Sequence, residues 1–283
     1  MTIPAGRKID CHIHVLDPVR FPYAYDTPYR PGGQEIAPAA HLVRVLDVFD
    51  VAHALIVGTN SGYGTDSRIL LDALRLGNGR FKGVAVVEND VESKELERLK
   101  AAGIIGVAFN LPFHGTGYYR NSAALLEKLV DLGLFLQIQV ENDQLLALLP
   151  LIEKSSVRLV IDHCGRPSVA HGLQQPAFQA LLAIGRERDA FIKLSGYYKF
   201  SRQPHPYEDT WPFIIALVEA FTLDRCVWGS DWPFLRASER LDYGPLLAVL
   251  SRLFPDPDDQ QLLLWTTPAR LLGFANNEAD RSR

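Results

Sequence analysis

Two histidines, His12 and His14, stand one residue apart in the otherwise apolar run IDCHIHV at residues 9–15. On a strand, residues i and i+2 project to the same side, so both imidazoles face one volume. Such a pair can chelate one divalent ion, polarise one carbonyl, or simply hydrogen-bond within the fold. Two further segments supply partners: His163 in VIDHCGRP and Asp231 in VWGSDWP. Three imidazoles and a carboxylate form an N/O ligand set suited to Zn²⁺ or Mn²⁺. Without an ion, the same four groups are a base and a set of hydrogen-bond donors.

Asp231 lies in the apolar context WGSDWPF, where a carboxylate is costly unless it is paired, metal-bound or catalytic. Its functional reading is a general base that deprotonates an attacking water; its plainer reading is a loop residue capping the segment that follows. Arg166 follows His163 in a Gly–Arg–Pro turn. It can grip an anionic substrate group through its planar fork or pair with a loop carboxylate. Asp162, next to His163, is expected to point the other way along its strand, in a supporting role.

These residues need a scaffold that gathers distant segments. Short β-branched apolar runs fall at 8–15, 54–59, 82–87, 106–110, 134–140, 158–162, 191–195 and 225–229. Continuous apolar runs of this kind are what strands buried on both faces look like. Helical patterns separate them. Leu42, Val45, Leu46 and Phe49 make one stripe, Asp66 can cap the helix carrying Ile69, Leu70 and Leu74, and Ser93 can cap a helix that ends at Gly103. Asn121 opens a helix closed by Gly133, and Asn142 or Asp143 opens one that Pro150 kinks or breaks. Further helices are expected at 177–188, 211–221 and 246–254, with a C-terminal one at about 258–274. Eight β-then-α units predict an α/β fold, a (β/α)₈ TIM barrel forming a single domain over 1–283. A doubly wound open sheet is the rival, but no GxGxxG follows the first strand. In a barrel, the polar ends of strands one, two, four, five, six and eight share the C-terminal face. The irregular stretch 17–40, with five prolines, then lies over that face as a lid or pocket wall.

Composition narrows the classes. The chain has 283 residues, 47% apolar and 22% charged, with a formal charge of −4. A large core follows, and nucleic-acid binding has little electrostatic support. The start MTIPAGRKID lacks the apolar centre of a signal peptide, and no run approaches a membrane span. Three cysteines without metal-site spacing suit reduced thiols, so a cytoplasmic setting is expected.

Taken in order, IDCHIHV, GVAFN (106–110), VIDHCGRP (160–167), VWGSDWP (227–233) and TPARLLGF (267–274) resemble the amidohydrolase superfamily across nearly the whole chain. The likeness is to the branch of 2-pyrone-4,6-dicarboxylate lactonase-like hydrolases, which also holds sugar lactonases and sulfomuconolactone hydrolase. The resemblance implies a hydrolase opening a lactone of a small metabolite. It carries the reaction centre over to His12, His14, His163 and Asp231, with the aspartate activating water and the histidines polarising the carbonyl, with or without an ion.

Two departures bear on substrate and metal. Ala108 stands where the dicarboxylate lactonases have an arginine in GVRFN. After strand seven, SGYYKFSR offers Lys199 at the equivalent of a second arginine, with Arg202 nearby. A less anionic lactone is therefore expected, bound by Arg166, Asn110, His114, Lys199 and Tyr197, with Tyr198 and Tyr118 as further wall residues. No lysine ends strand four, and Gln137 and Gln139 replace a common histidine ligand on strand five. At most one divalent ion is expected, held by His12, His14, His163 and Asp231, and a metal-independent site is the other possibility. A metal-dependent decarboxylase of a small carboxylated ring or enoate is the alternative function, and a barrel that only binds a metabolite is a third reading. A homo-oligomer is compatible with all three.

Overall fold

The computed structural model describes residues 2–274. Its eight strands are β1 (Lys8–Ile13), β2 (Val51–Val57), β3 (Phe81–Ala85), β4 (Ile104–Asn110), β5 (Phe135–Gln139), β6 (Leu159–Ile161), β7 (Ala190–Lys193) and β8 (Cys226–Val227). All neighbours pair in parallel, in sequence order. β8 is only two residues long, so the ring closes just beyond it. Cys11 N donates to Trp228 O (2.9 Å), Asp231 N to His12 O (2.8 Å) and His14 N to Trp232 O (2.8 Å). The expected (β/α)₈ barrel is the observed one.

Both faces of the strands are buried, which is why the runs read as continuously apolar. Outward residues such as Ile56, Val107, Leu136, Ile161 and Ile192 pack under the helices. Inward residues, among them Ile9, Cys11, Leu55, Val84, Val160, Phe191 and Val227, fill the lumen together with Leu271 and Leu272 of the C-terminal segment. One step toward the C-terminal face the lumen turns polar with His12, Gln137, Asp162 and Lys193, all nearly inaccessible to water. A barrel interior is built in such layers.

The main outer helices are α1 (Ala39–Val48), α2 (Arg68–Gly77), α3 (Ser93–Ala101), α4 (Ala123–Leu132), α5 (Gln144–Ile152), α6 (Pro176–Glu187), α7 (Trp211–Phe221) and α8 (Tyr243–Ala248). Several ends differ from expectation. α2 starts after Ser67, and Asp66 instead holds the Arg68 N–H at 3.0 Å. Glu92 rather than Ser93 precedes α3, and Ser122 rather than Asn121 precedes α4. Pro150 does not break α5 but sits within it, near the C-terminal end where one lost hydrogen bond matters least. The helix expected at 246–254 is two pieces, α8 and Leu250–Leu253. The C-terminal one runs through Pro257–Gln261, a π-helical turn Leu262–Thr266 and Thr267–Leu272. The wide turn precedes Pro268, which has no N–H to continue an α-helical ladder.

The segment after β1 is pinched at its base by an antiparallel bridge between Leu16 and Ala37. Its Glu35 carboxylate accepts from Tyr29 Oη at 2.7 Å and from the backbone N–H of Arg236 at 2.8 Å, while Tyr23 packs against Tyr63. It thus braces the turns after β2 and β8. Among the described residues, none from 17–38 lines the central cavity, so the expectation of a direct pocket wall is corrected to a buttress. No helix among the described residues is long and apolar enough to cross a membrane.

Candidate active site

The histidine pair rests on an irregularity in β1. Asp10 pairs with Ala54 but Ile13 with Ile56, so Cys11 and His12 together oppose Leu55 as in a β-bulge. The extra residue leaves Asp10 on the helix side of the strand, where it organises the closure of the barrel. Its Oδ1 accepts from His12 N (3.0 Å) and Ser230 N (2.9 Å), and its Oδ2 from Tyr243 Oη (2.7 Å). Complete burial pushes the Asp10 carboxyl up to about 6, against the opposing pull of these hydrogen bonds. Gly229 permits the close approach of β8: a Cβ there would stand 2.7 Å from His12 Cβ and 2.8 Å from its backbone nitrogen.

His163 and Asp231 are presented by strained turns rather than by strands. β6 ends at Ile161, and His163, Cys164, Gly165 and Arg166 all have φ between 43° and 70°. Each non-glycine residue held in this left-handed region costs roughly 1–2 kcal/mol, and such strain gathers at functional sites. The turn corrects the expectation for Asp162. It does not point away from His163; strand alternation and the left-handed turn bring both into the mouth. Gly196 makes room for the imidazole, since a Cβ there would meet His163 Nδ1 at 2.7 Å. That Nδ1 contacts Ser195 Oγ at 3.0 Å. Asp231 also has positive φ, 62°.

The four groups converge. Asp231 Oδ1 lies 3.6 Å from His12 Nε2, 3.5 Å from His14 Nε2 and 3.7 Å from His163 Nε2. The two strand-one Nε2 atoms are 3.3 Å apart. Asp231 Oδ2 is held on the other side by Tyr198 Oη at 2.5 Å and Lys199 Nζ at 2.9 Å. Burial alone would raise the Asp231 carboxyl. Lys199, His163 and the hydrogen bond to His14 outweigh it and hold the group well below the usual carboxylate range. Burial, reinforced by Lys193, lowers His12 to about 4, and burial lowers His163 well below the usual imidazole range. The centre is thus an ionised Asp231 carboxylate facing His12 and His163 imidazoles held in their neutral form.

Beneath it lies a charged layer. Lys193 Nζ stands 3.1 Å from His12 Nδ1, 2.6 Å from Gln137 Oε1 and 3.0 Å from Asp162 Oδ1. Gln137 Nε2 donates to Asp162 Oδ2 at 2.9 Å. Lys193, with no exposed surface, was not anticipated from sequence. The signal was present, because a lysine inside AFIKLS at an inward position must be paired to be buried.

The cavity above the centre measures about 360 Å³ and is lined by neutral polar groups from β2, β4 and β5, including Thr59, Asn60, Ser61, Asn110 and Gln139. Arg166 and Lys199, from the turns after β6 and β7, also line it, and Ala108 leaves space on β4. Of the expected binding residues, Asn110, Arg166 and Lys199 reach the cavity. Arg166 does so while paired to Glu141 at 2.7 Å. His114 does not: it stands behind Asn60, bonded to its Nδ2 at 2.8 Å and stacked on Tyr118. Tyr197 is also corrected, since its hydroxyl donates to Leu194 O at 2.7 Å inside the core; its neighbour Tyr198 faces the cavity instead. Tyr118 points to Glu88 at 3.0 Å.

Donor atoms of His12, His14 and Asp231 lie within 4.8 Å of one another. Their separations approximate the roughly 3.4 Å edge of a tetrahedron with ligands at about 2.1 Å. By spacing alone, these three residues suit one divalent ion, whereas His163 groups instead with His12 and Asp162.

Comparison with known proteins agrees with this architecture. The amidohydrolase family model matches residues 9–274. A 4-sulfomuconolactone hydrolase of Rhizobium radiobacter is 32% identical over 96% of this chain and 91% of its own length. A 2-pyrone-4,6-dicarboxylate hydrolase of Comamonas testosteroni is 30% identical over 95% of this chain and 90% of its own. The crystal structure of a probable 2-pyrone-4,6-dicarboxylic acid hydrolase from Acinetobacter baumannii, with citric acid bound, superposes with a TM-score of 0.80 at 27% identity, covering 95% of this chain and all of that one.

Proposed function

The chain belongs to the amidohydrolase family, and we propose that it hydrolyses a lactone, opening a small cyclic ester with water. The observation that carries this reading is the convergence of His12, His14 and His163 Nε2 on Asp231 Oδ1, at 3.5–3.7 Å, beneath a cavity of metabolite size. The lactone relatives support the same reaction class.

In this reading the lactone carbonyl enters among the imidazoles, and a water sits against Asp231 Oδ1. As the water oxygen bonds to the carbonyl carbon, its proton passes to Asp231 and imidazole N–H donors meet the developing oxyanion. The ring C–O bond then breaks, and the proton on Asp231 goes to the departing oxygen, leaving a hydroxy acid or its keto tautomer. Tyr198 and Lys199 keep the carboxylate oriented through Oδ2. A base held this far down is weak, so the reaction relies on an electrophilic carbonyl, which favours activated esters. A divalent ion on His12, His14 and Asp231 would supply Lewis acidity when bound.

The cavity, with Arg166, Lys199 and Arg236 in its lining, supports a lactone less anionic than a dicarboxylate. Arg166 and Lys199 give one side positive character, whereas Ala108 gives the β4 side no cation and the groups around it are neutral. Neutral donors and acceptors there suit hydroxyl or carbonyl substituents.

A lactone panel assayed by acid release on chelator-treated protein, with and without added Zn²⁺ or Mn²⁺, tests the proposal. Ring opening of a monoacidic or neutral lactone is expected. Carbon dioxide release without ring opening would establish the decarboxylase alternative, and no turnover of any member would leave a binding protein.

A further inference from the structure

The hydrogen bonds around the histidine pair assign its protons. His14 Nδ1 lies 2.8 Å from Val57 O. A carbonyl only accepts, so His14 Nδ1 carries a proton. His12 Nδ1 is unprotonated, because Lys193 Nζ stands 3.1 Å from it and an ammonium has donors alone.

The competing partner for His12 Nδ1 is Asp162 Oδ1, at 3.3 Å. A proton on Nδ1 would not be aimed at it, for Asp162 Oδ1 takes part in no aligned hydrogen bond. Such a proton would instead meet the Lys193 ammonium. Lys193 Nζ–H therefore donates to His12 Nδ1, which leaves the His12 proton on Nε2, toward the cavity mouth.

We propose that Lys193 is a positioning residue that locks His12 in its Nε2–H form, making it a donor to the substrate carbonyl and opposing capture of a divalent ion by the histidine pair. Ligation by His12 Nε2 requires that nitrogen to lose its proton, which then moves to Nδ1, against the ammonium, or leaves the imidazole. The spacing of His12, His14 and Asp231 therefore suits an ion while the proton on His12 Nε2 resists one. The donor role rests on the lactone reading; the tautomer and the metal preference do not.

The test uses the full chain and its Lys193→Met variant, which keeps the side-chain length without the donors. A second variant, Lys193→Met with Asp162→Asn, also removes the carboxylate left unpaired, and thermal melts establish folding. In protein labelled with ¹⁵N-histidine, the wild-type His12 resonances should report protonated Nε2 and bare Nδ1, and the variants should show the mixed or opposite form. Calorimetric titration with Zn²⁺ alone should give affinity at least tenfold higher in the folded double variant than in wild type. On an active lactone, loss of one oriented donor should lower kcat by about 10²-fold, with KM moving far less. A wild-type His12 protonated at Nδ1, or Zn²⁺ affinity equal in wild type and the double variant, would overturn the proposal. Failure of every lactone to react, with the His12 tautomer as assigned, would count against the lactone reading alone.

Discussion

Lys199 Nζ lies 2.9 Å from Asp231 Oδ2, so the carboxylate that faces three imidazoles is clamped by a cation on its far side. The clamp serves two ends: it fixes the direction of Oδ1 and keeps the group ionised. It also costs basicity, because a stabilised carboxylate takes a proton less readily.

Removing the cation should make that trade visible. In Lys199→Met the Asp231 carboxyl rises, since burial then meets less opposition. A carboxylate with a depressed value is active above it and fails as pH falls through it, so the acid limb of the kcat/KM profile should move to higher pH, by at least about one pH unit. Profiles of wild type and variant between pH 4 and 8 check this; superimposable acid limbs would remove Lys199 from the account.

Asp10 should behave in the opposite sense. Its folded carboxyl is raised to about 6, so its favourable contribution is complete below the unfolded value near 4 and is lost as pH rises through about 6, by an amount on the order of 3 kcal/mol. Asp10→Asn keeps an Oδ1 for the His12 and Ser230 N–H groups and presents an amide to Tyr243. Thermal melts should therefore show Asp10→Asn at least as stable as wild type at pH 8, with a flatter pH dependence. Asp10→Ala leaves buried donors unmatched and should lose about 2 kcal/mol or more; equal melts for the two variants would contradict this reading.

The neutral β4 side predicts a change of selectivity. Ala108→Arg adds a cation to the β4 wall of the cavity, so kcat/KM for a lactone with two carboxylates should rise relative to a monoacidic one by about tenfold or more. An unchanged ratio in a folded variant would mean that Ala108 does not face the substrate.

Much of this arrangement was legible in the sequence. Eight apolar runs marked the barrel because every strand is buried on both faces, and IDCHIHV, VIDHCGRP and VWGSDWP marked its chemical end. What escaped was set by local geometry that alternation does not encode. Asp162 was expected to face away from His163, but the left-handed turn from His163 to Arg166 breaks the period of two. Tyr197 and Tyr198 were equivalent on paper, and the 3₁₀ turn at Tyr197–Lys199 sends one hydroxyl into the core and the other to Asp231. Lys193 read as one more residue of a strand, yet its inward position places it under His12. The loop at 17–40 gave no hint of its anchor, because Glu35 meets Arg236 from the far end of the chain.

The most direct test of the central claim is kcat/KM for the best lactone substrate in wild type and Asp231→Asn, with thermal melts confirming that both are folded. Asparagine preserves shape but cannot take the proton of water, so turnover should fall by about 10²–10⁴-fold while the lactone still binds. A folded Asp231→Asn that opens the lactone within a few fold of the wild-type rate would contradict the account.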